Sequence, residues 1–229
     1  MIRILRRVPH PYAAFRDRRD AGRALAEFLA PNAKGDSVVL ALPRGGLPVG
    51  EGVAEVFGCP LEPVVVGKLP IPFDPEAGFG AVGIDGSTAI NEPLVEHLGL
   101  DQRSMDAVAR EVRREVERRA AEYLGNHRSA PVEGKQVLIV DDGLASGYSM
   151  MVAAEMTRKR APKSLVLAVP VAPAETLVTV AQLFDEANCL IVQTRLPFAV
   201  ASFYDDFRDL SDAEVKDTLR RRRDALVEH

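Results

Sequence analysis

Between Leu138 and Met150 the chain reads L-I-V-D-D-G-L-A-S-G-Y-S-M, an apolar strand that runs into two adjacent carboxylates and then into a loop of small residues opening a helix near Tyr148. Backbone N–H groups at such a turn converge on a point and carry the positive end of the helix dipole. A loop from Gly143 to Ser149, built mainly from Gly143, Ala145, Ser146, Gly147 and Ser149 with Leu144 and Tyr148 between them, can therefore wrap a phosphate closely. Asp141 and Asp142 repel phosphate, so they accept hydrogen bonds from hydroxyl groups or lie close to a divalent cation. A ligand with a phosphate at one end and a diol beside it, a ribose 5-phosphate, satisfies both halves.

A second motif, A-L-P-R-G-G from Ala41 to Gly46, leaves an earlier apolar strand in the same way. Gly45 and Gly46 let the backbone turn sharply and offer amides to an anion, and Arg44 adds a fork of donors suited to phosphate oxygens. A diphosphate fits that chemistry, and a turn aiming its amides so is expected to hold an unusual peptide near Arg44. Lys68 follows the next strand toward the same rim. It can neutralise a diphosphate or serve as a solvated lysine at a loop start, and the sequence leaves both open.

These motifs must be held by alternating strands and helices. A helix opening at Asp17 or Asp20 places Ala21, Leu25, Phe28 and Leu29 on one face, and P-N-A-K-G-D after it reads as a loop. Strands are expected at Ser37–Leu42, Leu61–Val66, Val137–Asp141, Ser164–Val169 and Asn188–Gln193, with helices between them. Pro70 to Gly80, rich in proline and glycine, reads as an irregular mobile loop. Asp85-Gly86 marks a hairpin, Asn91 caps a short helix closed by Gly99, and a long helix runs from about Asp101 to Gly125 with Glu115 and Arg119 able to pair. Ser211 and Glu214 form a capping box for the last helix. Continuous apolar strands alternating with helices predict an α/β fold, a mostly parallel sheet with helices on both faces, whose ligands bind beyond the carboxyl ends of the strands.

V-D-D-G-L-A-S-G resembles the PRPP-binding signature of type I phosphoribosyltransferases, in which apolar residues precede two acids and a small-residue loop. Gly143 departs from it, since most members carry an apolar residue there. The resemblance covers about Ser37 to Gln193 and implies the type I fold as one domain over residues 1–229. It adds a small hood from the terminal segments, about 1–36 and 194–229, and a mixed sheet in which the strand after the mobile loop runs antiparallel. It implies transfer of ribose 5-phosphate from PRPP to a nitrogen acceptor, a nucleobase first among them, with release of pyrophosphate. Arg44, Gly45 and Gly46 would then meet the pyrophosphate, Asp141 and Asp142 the ribose, and Mg²⁺ would arrive with PRPP, with Asp141 or Asp142 as the protein oxygens that could touch it. Phe198, Phe203, Tyr204 and Phe207 fall where the family folds its hood, to stack on a base, fill the hood core or meet a second copy in a homodimer. Family members that use 6-oxopurines carry a third acid where Ala145 stands, which implies an acceptor other than hypoxanthine or guanine.

Composition narrows the field. With 33 acidic and 29 basic residues, a formal charge of −4 gives no global field toward nucleic acid or an anionic membrane. Cys59 and Cys189 stand far apart without metal-ligand spacing, so they read as buried thiols. The N-terminal apolar run is too short for a signal peptide and no stretch reaches membrane-spanning length, so a cytoplasmic protein is expected. Arg220 to Arg223 read as a solvated basic face. The rival to catalysis is a non-catalytic PRPP- or nucleotide-binding regulator, because Pro70 to Gly80 holds no Lys, Arg or His where many family members carry a basic residue. A DNA-binding version is disfavoured, with 36 residues ahead of the strand expected at Ser37.

Overall fold

The computed structural model describes every residue except 33–35, 73, 126, 128, 228 and 229, so half of the loop expected at P-N-A-K-G-D lies outside the described residues. The chain opens with β1 (Ile2–Val8), α1 (Arg18–Leu29), β2 (Ser37–Ala41), α2 (Gly46–Phe57) and β3 (Leu61–Pro63). Next come β4 (Val66–Ile71), β5 (Asp74–Gly83), β6 (Thr88–Ile90), α3 (Glu92–Leu98) and α4 (Gln102–Leu124). The remaining elements are β7 (Gln136–Val140), α5 (Tyr148–Arg158), β8 (Ser164–Pro173), α6 (Ala174–Ala181), β9 (Glu186–Gln193) and α7 (Asp212–Val227).

Six strands, in the order β1-β9-β8-β7-β2-β3, form one sheet that is parallel throughout. Their apolar residues alternate between two cores, as the period of two in a strand dictates. Val39, Ala41, Leu138, Val140, Val166 and Ala168 pack toward α1, α2 and α7. Val38, Leu40, Val137, Ile139, Leu165 and Leu167 pack toward α5 and α6. From β2 the chain moves outward to β3, whereas from β7 it moves the other way through β8 to β9. The order therefore reverses between β2 and β7, and the two chemical motifs are the turns that leave those two strands.

Three expectations are corrected. The antiparallel strands form a separate sheet, β4-β5-β6, rather than joining the main one. β3 ends at Pro63, the Val64 N–H still reaching the Ala41 carbonyl at 3.0 Å, and the chain then passes through Val65 into β4 of the second sheet. Pro70 to Gly80 is no irregular loop, since β4 and β5 pair across it, with register shifts on both sides of Pro70. Proline is tolerated there because β4 is an edge strand. Residues 2–8, expected in the hood, are instead the outer strand of the main sheet beside β9. Their alternation was hidden by arginines, which an edge strand can carry toward solvent.

Helix starts follow the expected caps. Asp17, Asn91 and Asp101 accept N–H groups of Asp20, Leu94 and Ser104, and Ser211 and Glu214 exchange bonds of 3.3 and 2.9 Å. Glu115 pairs with Arg118 at 2.7 Å instead of with Arg119, whose guanidinium turns to the Tyr123 hydroxyl. Of the terminal segments, 14–16 and 203–206 pair their backbones above the strand ends, with the isolated bridge Phe15–Tyr204 at their centre. Phe203 and Tyr204 are buried there, and the rings of Phe15, Phe198 and Phe207 pack against them, so these aromatics mainly fill the core of this cap.

Helices α1 and α2 cross closely at Gly22, where an added Cβ would lie 2.8 Å from the Val49 carbonyl oxygen. Alanine would gain about 1 kcal/mol of helix propensity but overpack a backbone contact, which costs about 1–3 kcal/mol. Gly22→Ala is therefore expected to destabilise the protein in urea denaturation. A raised midpoint would show that the helices can separate freely.

Candidate functional site

The two motif turns touch. Leu42 extends the β2 ladder by donating to the Val140 carbonyl at 3.0 Å, and the chain then turns through a cis peptide between Pro43 and Arg44, the unusual peptide expected there. A Cβ on Gly45 would collide with Asp142 Oδ2, and one on Gly46 would sit 2.8 Å from the Val140 carbonyl oxygen. No side chain larger than hydrogen fits at either position. The Gly46 N–H bonds the Leu42 carbonyl at 2.9 Å, leaving those of Arg44 and Gly45 without an acceptor among the described residues.

Asp141 and Asp142, both half-buried, leave β7 at this contact. Asp141 Oδ1 accepts the Asp142 N–H at 2.8 Å, and the Asp142 carbonyl accepts the Tyr204 hydroxyl at 2.6 Å. Arg18, the first residue of α1, donates from Nε to Asp142 Oδ2 at 2.7 Å. Burial pushes the Asp141 carboxyl well above the usual carboxylate range, and the neighbouring Asp142 pushes it further. Burial raises Asp142 as well, against the pull of Arg18.

Beyond the acids, the loop is fastened from below and left open above. Leu144 is buried and donates its N–H to the Val171 carbonyl at 2.8 Å, so it anchors the loop to β8. A Cβ on Gly143 would lie 2.5 Å from Val200 Cγ1 and 2.8 Å from Val171 Cγ2, which explains its departure from the usual apolar residue. Here the cap packs where a side chain would otherwise stand. Ala145 and Ser146 are exposed, Tyr148 and Ser149 half-buried. Gly147 takes φ = 87° at the start of α5, and Met151 donates to its carbonyl. Among the described residues no group accepts the amides from Ala145 to Met150. Beside this loop lies a cleft of about 340 Å³, lined by Ala145, Ser146, Glu175, Gln193, Arg195 and Phe198. Gln193 donates to the Arg195 and Pro197 carbonyls, while its buried Oε1 has no partner among the described residues.

The model of the phosphoribosyl transferase domain matches residues 86–208, just over half of the chain. The chain belongs to the phosphoribosyl transferase family. Two Mycobacterium tuberculosis proteins, from strains CDC 1551 / Oshkosh and ATCC 25618 / H37Rv and provisionally named phosphoribosyl transferases, are 42% identical to it over 201 residues. That match covers 88% of this chain but 45% of each relative, so the chain spans about half the length of the curated relatives it matches. The crystal structure of TT1426 from Thermus thermophilus superposes with a TM-score of 0.74 at 36% identity, covering 90% of this chain and 98% of that one.

Within this phosphoribosyl transferase fold, the structure brings Gly45, Gly46, Asp141 and Asp142 into direct apposition. Arg44 stands at the same turn but reaches toward α7, with its guanidinium 3.9 Å from Asp212, which also accepts the Tyr123 hydroxyl. Lys68 lies on β4 of the second sheet, its stem against Gly78, along a groove shared with Val112, Glu115 and Arg119 of α4. The basic run on α7 is only partly solvated, because Arg222 bonds the Ala54 and Cys59 carbonyls at the end of α2. No cluster of three or more His, Cys, Asp or Glu among the described residues could cage a metal. The paired carboxylates fit a Mg²⁺ held mostly by ligand oxygens and water. No helix among the described residues is long and apolar enough to cross a membrane.

Arg18 and Gln193 escaped the motif reading. Arg18 carried a faint signal, since a cation at the start of a helix opposes the dipole and needs another reason to be there.

The raised Asp141 carboxyl has a consequence for stability. A carboxyl whose folded pKa lies above its unfolded value opposes folding wherever it must ionise, and the opposition fades as pH falls through the folded pKa toward about 3.9. Asp141→Asn keeps the Oδ1 acceptor and removes the charge. It is expected to raise stability in urea at pH 8, with a smaller gain at pH 4; equal or lower stability at pH 8 would refute this.

Proposed function

We propose that the chain binds PRPP at the apposed turns and transfers its 5-phosphoribosyl group to a nitrogen acceptor, releasing pyrophosphate. The observation that carries this reading is the contact of Gly45 with Asp142 at the reversal of strand order, in a chain of the phosphoribosyl transferase family. The 5-phosphate is assigned to the open amides of the loop from Gly143 to Ser149, with Leu144 as its anchor, and the ribose hydroxyls to Asp141 and Asp142. The diphosphate is assigned to Arg44 and the turn at Gly45, with Lys68 as a further candidate at the rim.

As the bond at ribose C1 breaks, positive charge grows on the sugar and negative charge on the departing oxygens. Donors that meet those oxygens stabilise the transition state more than the ground state, and Arg44 with its neighbouring amides has that role here. Asp141 and Asp142 face the cationic ring. Mg²⁺, when bound with the diphosphate and touched by Asp141 or Asp142, supplies charge neutralisation of the leaving group. The cleft beside Ala145, with Phe198 as a stacking face, suits a flat aromatic nitrogen base. The buried unpaired thiols Cys59 and Cys189 support a reducing, cytoplasmic setting.

The non-catalytic reading keeps the same pocket without turnover, and the hairpin from Pro70 to Gly80, which has no Lys, Arg or His, favours it. A screen of bases and small amines for pyrophosphate release from PRPP with Mg²⁺ separates the two. Release with one acceptor is expected; PRPP binding without release for any acceptor would select the regulator.

In calorimetry, the pair Asp141→Asn and Asp142→Asn is expected to weaken PRPP about 10–100-fold, as loss of hydrogen bonds to charged groups implies, while the chain stays folded. Wild-type protein with no affinity for PRPP or a nucleotide would reject the binding site itself.

Ala145 cannot exchange a proton with a base, and such help typically contributes ~10²–10⁴ in rate. Hypoxanthine and guanine are therefore expected to give little or no nucleotide. Efficient conversion of either would show that this position does not select the acceptor.

A further inference from the structure

Arg18 lies outside both motifs, 124 residues from Asp142, yet it meets that carboxylate. Its side chain is 10% exposed and is held on three sides. Nε donates to Asp142 Oδ2 at 2.7 Å, Nη1 donates to the Arg208 carbonyl at 2.8 Å, and Cζ stacks 3.8 Å from the centre of the Phe207 ring. A Cβ on Gly45 would stand 3.2 Å from Arg18 Nε as well as colliding with Asp142 Oδ2, so the diphosphate turn is kept bare where the ion pair passes.

Stability alone gives a poor reason for this placement. A cation at a helix start is unfavourable by about 0.3–1 kcal/mol, and a buried ion pair often does no better than a packed apolar pair. What the arrangement provides is direction. The guanidinium is fixed by a carbonyl and a ring that do not belong to the site, and it engages a single oxygen of Asp142. The carbonyl of the same residue is fixed by Tyr204. The acid is therefore oriented through its side chain and its backbone by two residues brought from opposite ends of the chain.

We propose that Arg18 is a positioning residue for ribose recognition, aiming the Asp142 carboxylate at the ribose hydroxyls and joining the cap to the sugar site. This rests on the assignment of Asp142 to the ribose under Proposed function. Arg18 is given no contact with the phosphate loop, so its loss should be felt by ligands with a ribose and not by a bare anion.

The experiment measures ribose 5-phosphate and inorganic phosphate binding by calorimetry for wild type, Arg18→Met, Arg18→Lys, Asp142→Asn and the double variant Arg18→Met with Asp142→Asn, with thermal melts of each. Arg18→Met is expected to weaken ribose 5-phosphate about 10–100-fold, the range for a lost hydrogen bond to a charged group. It should leave inorganic phosphate within about twofold, and Arg18→Lys should recover part of the loss. In the double variant the Arg18 substitution should add less than about twofold, because a residue acting through Asp142 has nothing left to act on.

Unchanged ribose 5-phosphate affinity in Arg18→Met overturns the proposal, as do equal losses for both ligands or losses that multiply in the double variant. If Arg18→Met fails to fold, Arg18→Lys alone and combined with Asp142→Asn decides by the same criteria. Wild type that binds neither ligand overturns the ribose assignment and this inference together; wild type that binds ribose 5-phosphate but ignores position 18 overturns only the inference.

Discussion

The nearness of two backbones, where β2 and β7 end side by side, governs the rest of this structure. Parallel pairing sets Ala41 against Val140, and the next residues of both strands must then turn within the width of one ladder. Two glycines make that physically achievable. Because a Cβ at residue 45 or 46 would enter the space of Asp142 or of the Val140 carbonyl, the anion-suited turn and the acid pair form one crevice instead of two separate rims. The reversal of strand order opens that crevice, since helices α2 and α5 then depart in different directions.

Holding two neighbouring carboxylates in such a place has a cost that the surroundings only partly offset. The strands beneath are almost wholly apolar, with Val140 and Ile139 fully buried, so the acids stand at the edge of a low-dielectric block. Arg18 neutralises one of them, and the amide of Asp142 bonds the other. Tyr204 and Leu144 hold backbone positions on either side, so the turn is tied to the cap and to β8 by bonds of the protein itself. A site of this kind is preorganised by its supports, and the supports come from the cap as much as from the sheet.

Much of this was legible in the sequence, for reasons that can be traced. The strands Ser37–Ala41, Gln136–Val140 and Ser164–Pro173 are buried on both faces, and continuous apolar runs are what such burial demands. Caps at Asp17, Asn91 and Ser211 are local bonds spanning three residues, so they are written locally. What local pattern could not reveal depends on distant partners. β1 reads as an arginine-studded fragment because its meaning lies in β9, and the proline-rich segment after Ile71 becomes strand only because β5 folds back on β4. The acid pair and both glycine turns were visible as chemistry; Arg18 was not, because one arginine among several near the start of α1 is singled out only by the tertiary fold.

The position of β1 bears on how the chain is made. Its one strand neighbour among the described residues, β9, is pinned at Ile2–Ala187 and Val8–Gln193. During synthesis these residues leave the ribosome well before β9, yet they cannot pair until nearly all the intervening chain has followed. For that interval an alternating segment with Ile2, Ile4 and Val8 has an open edge on both sides. Closing so long a loop is a late and slow event compared with forming β7 to β9, whose partners arrive in succession. The arginines at 3, 6 and 7 repel like segments on other nascent chains, so the charges that obscured this strand in the sequence also guard it while it waits.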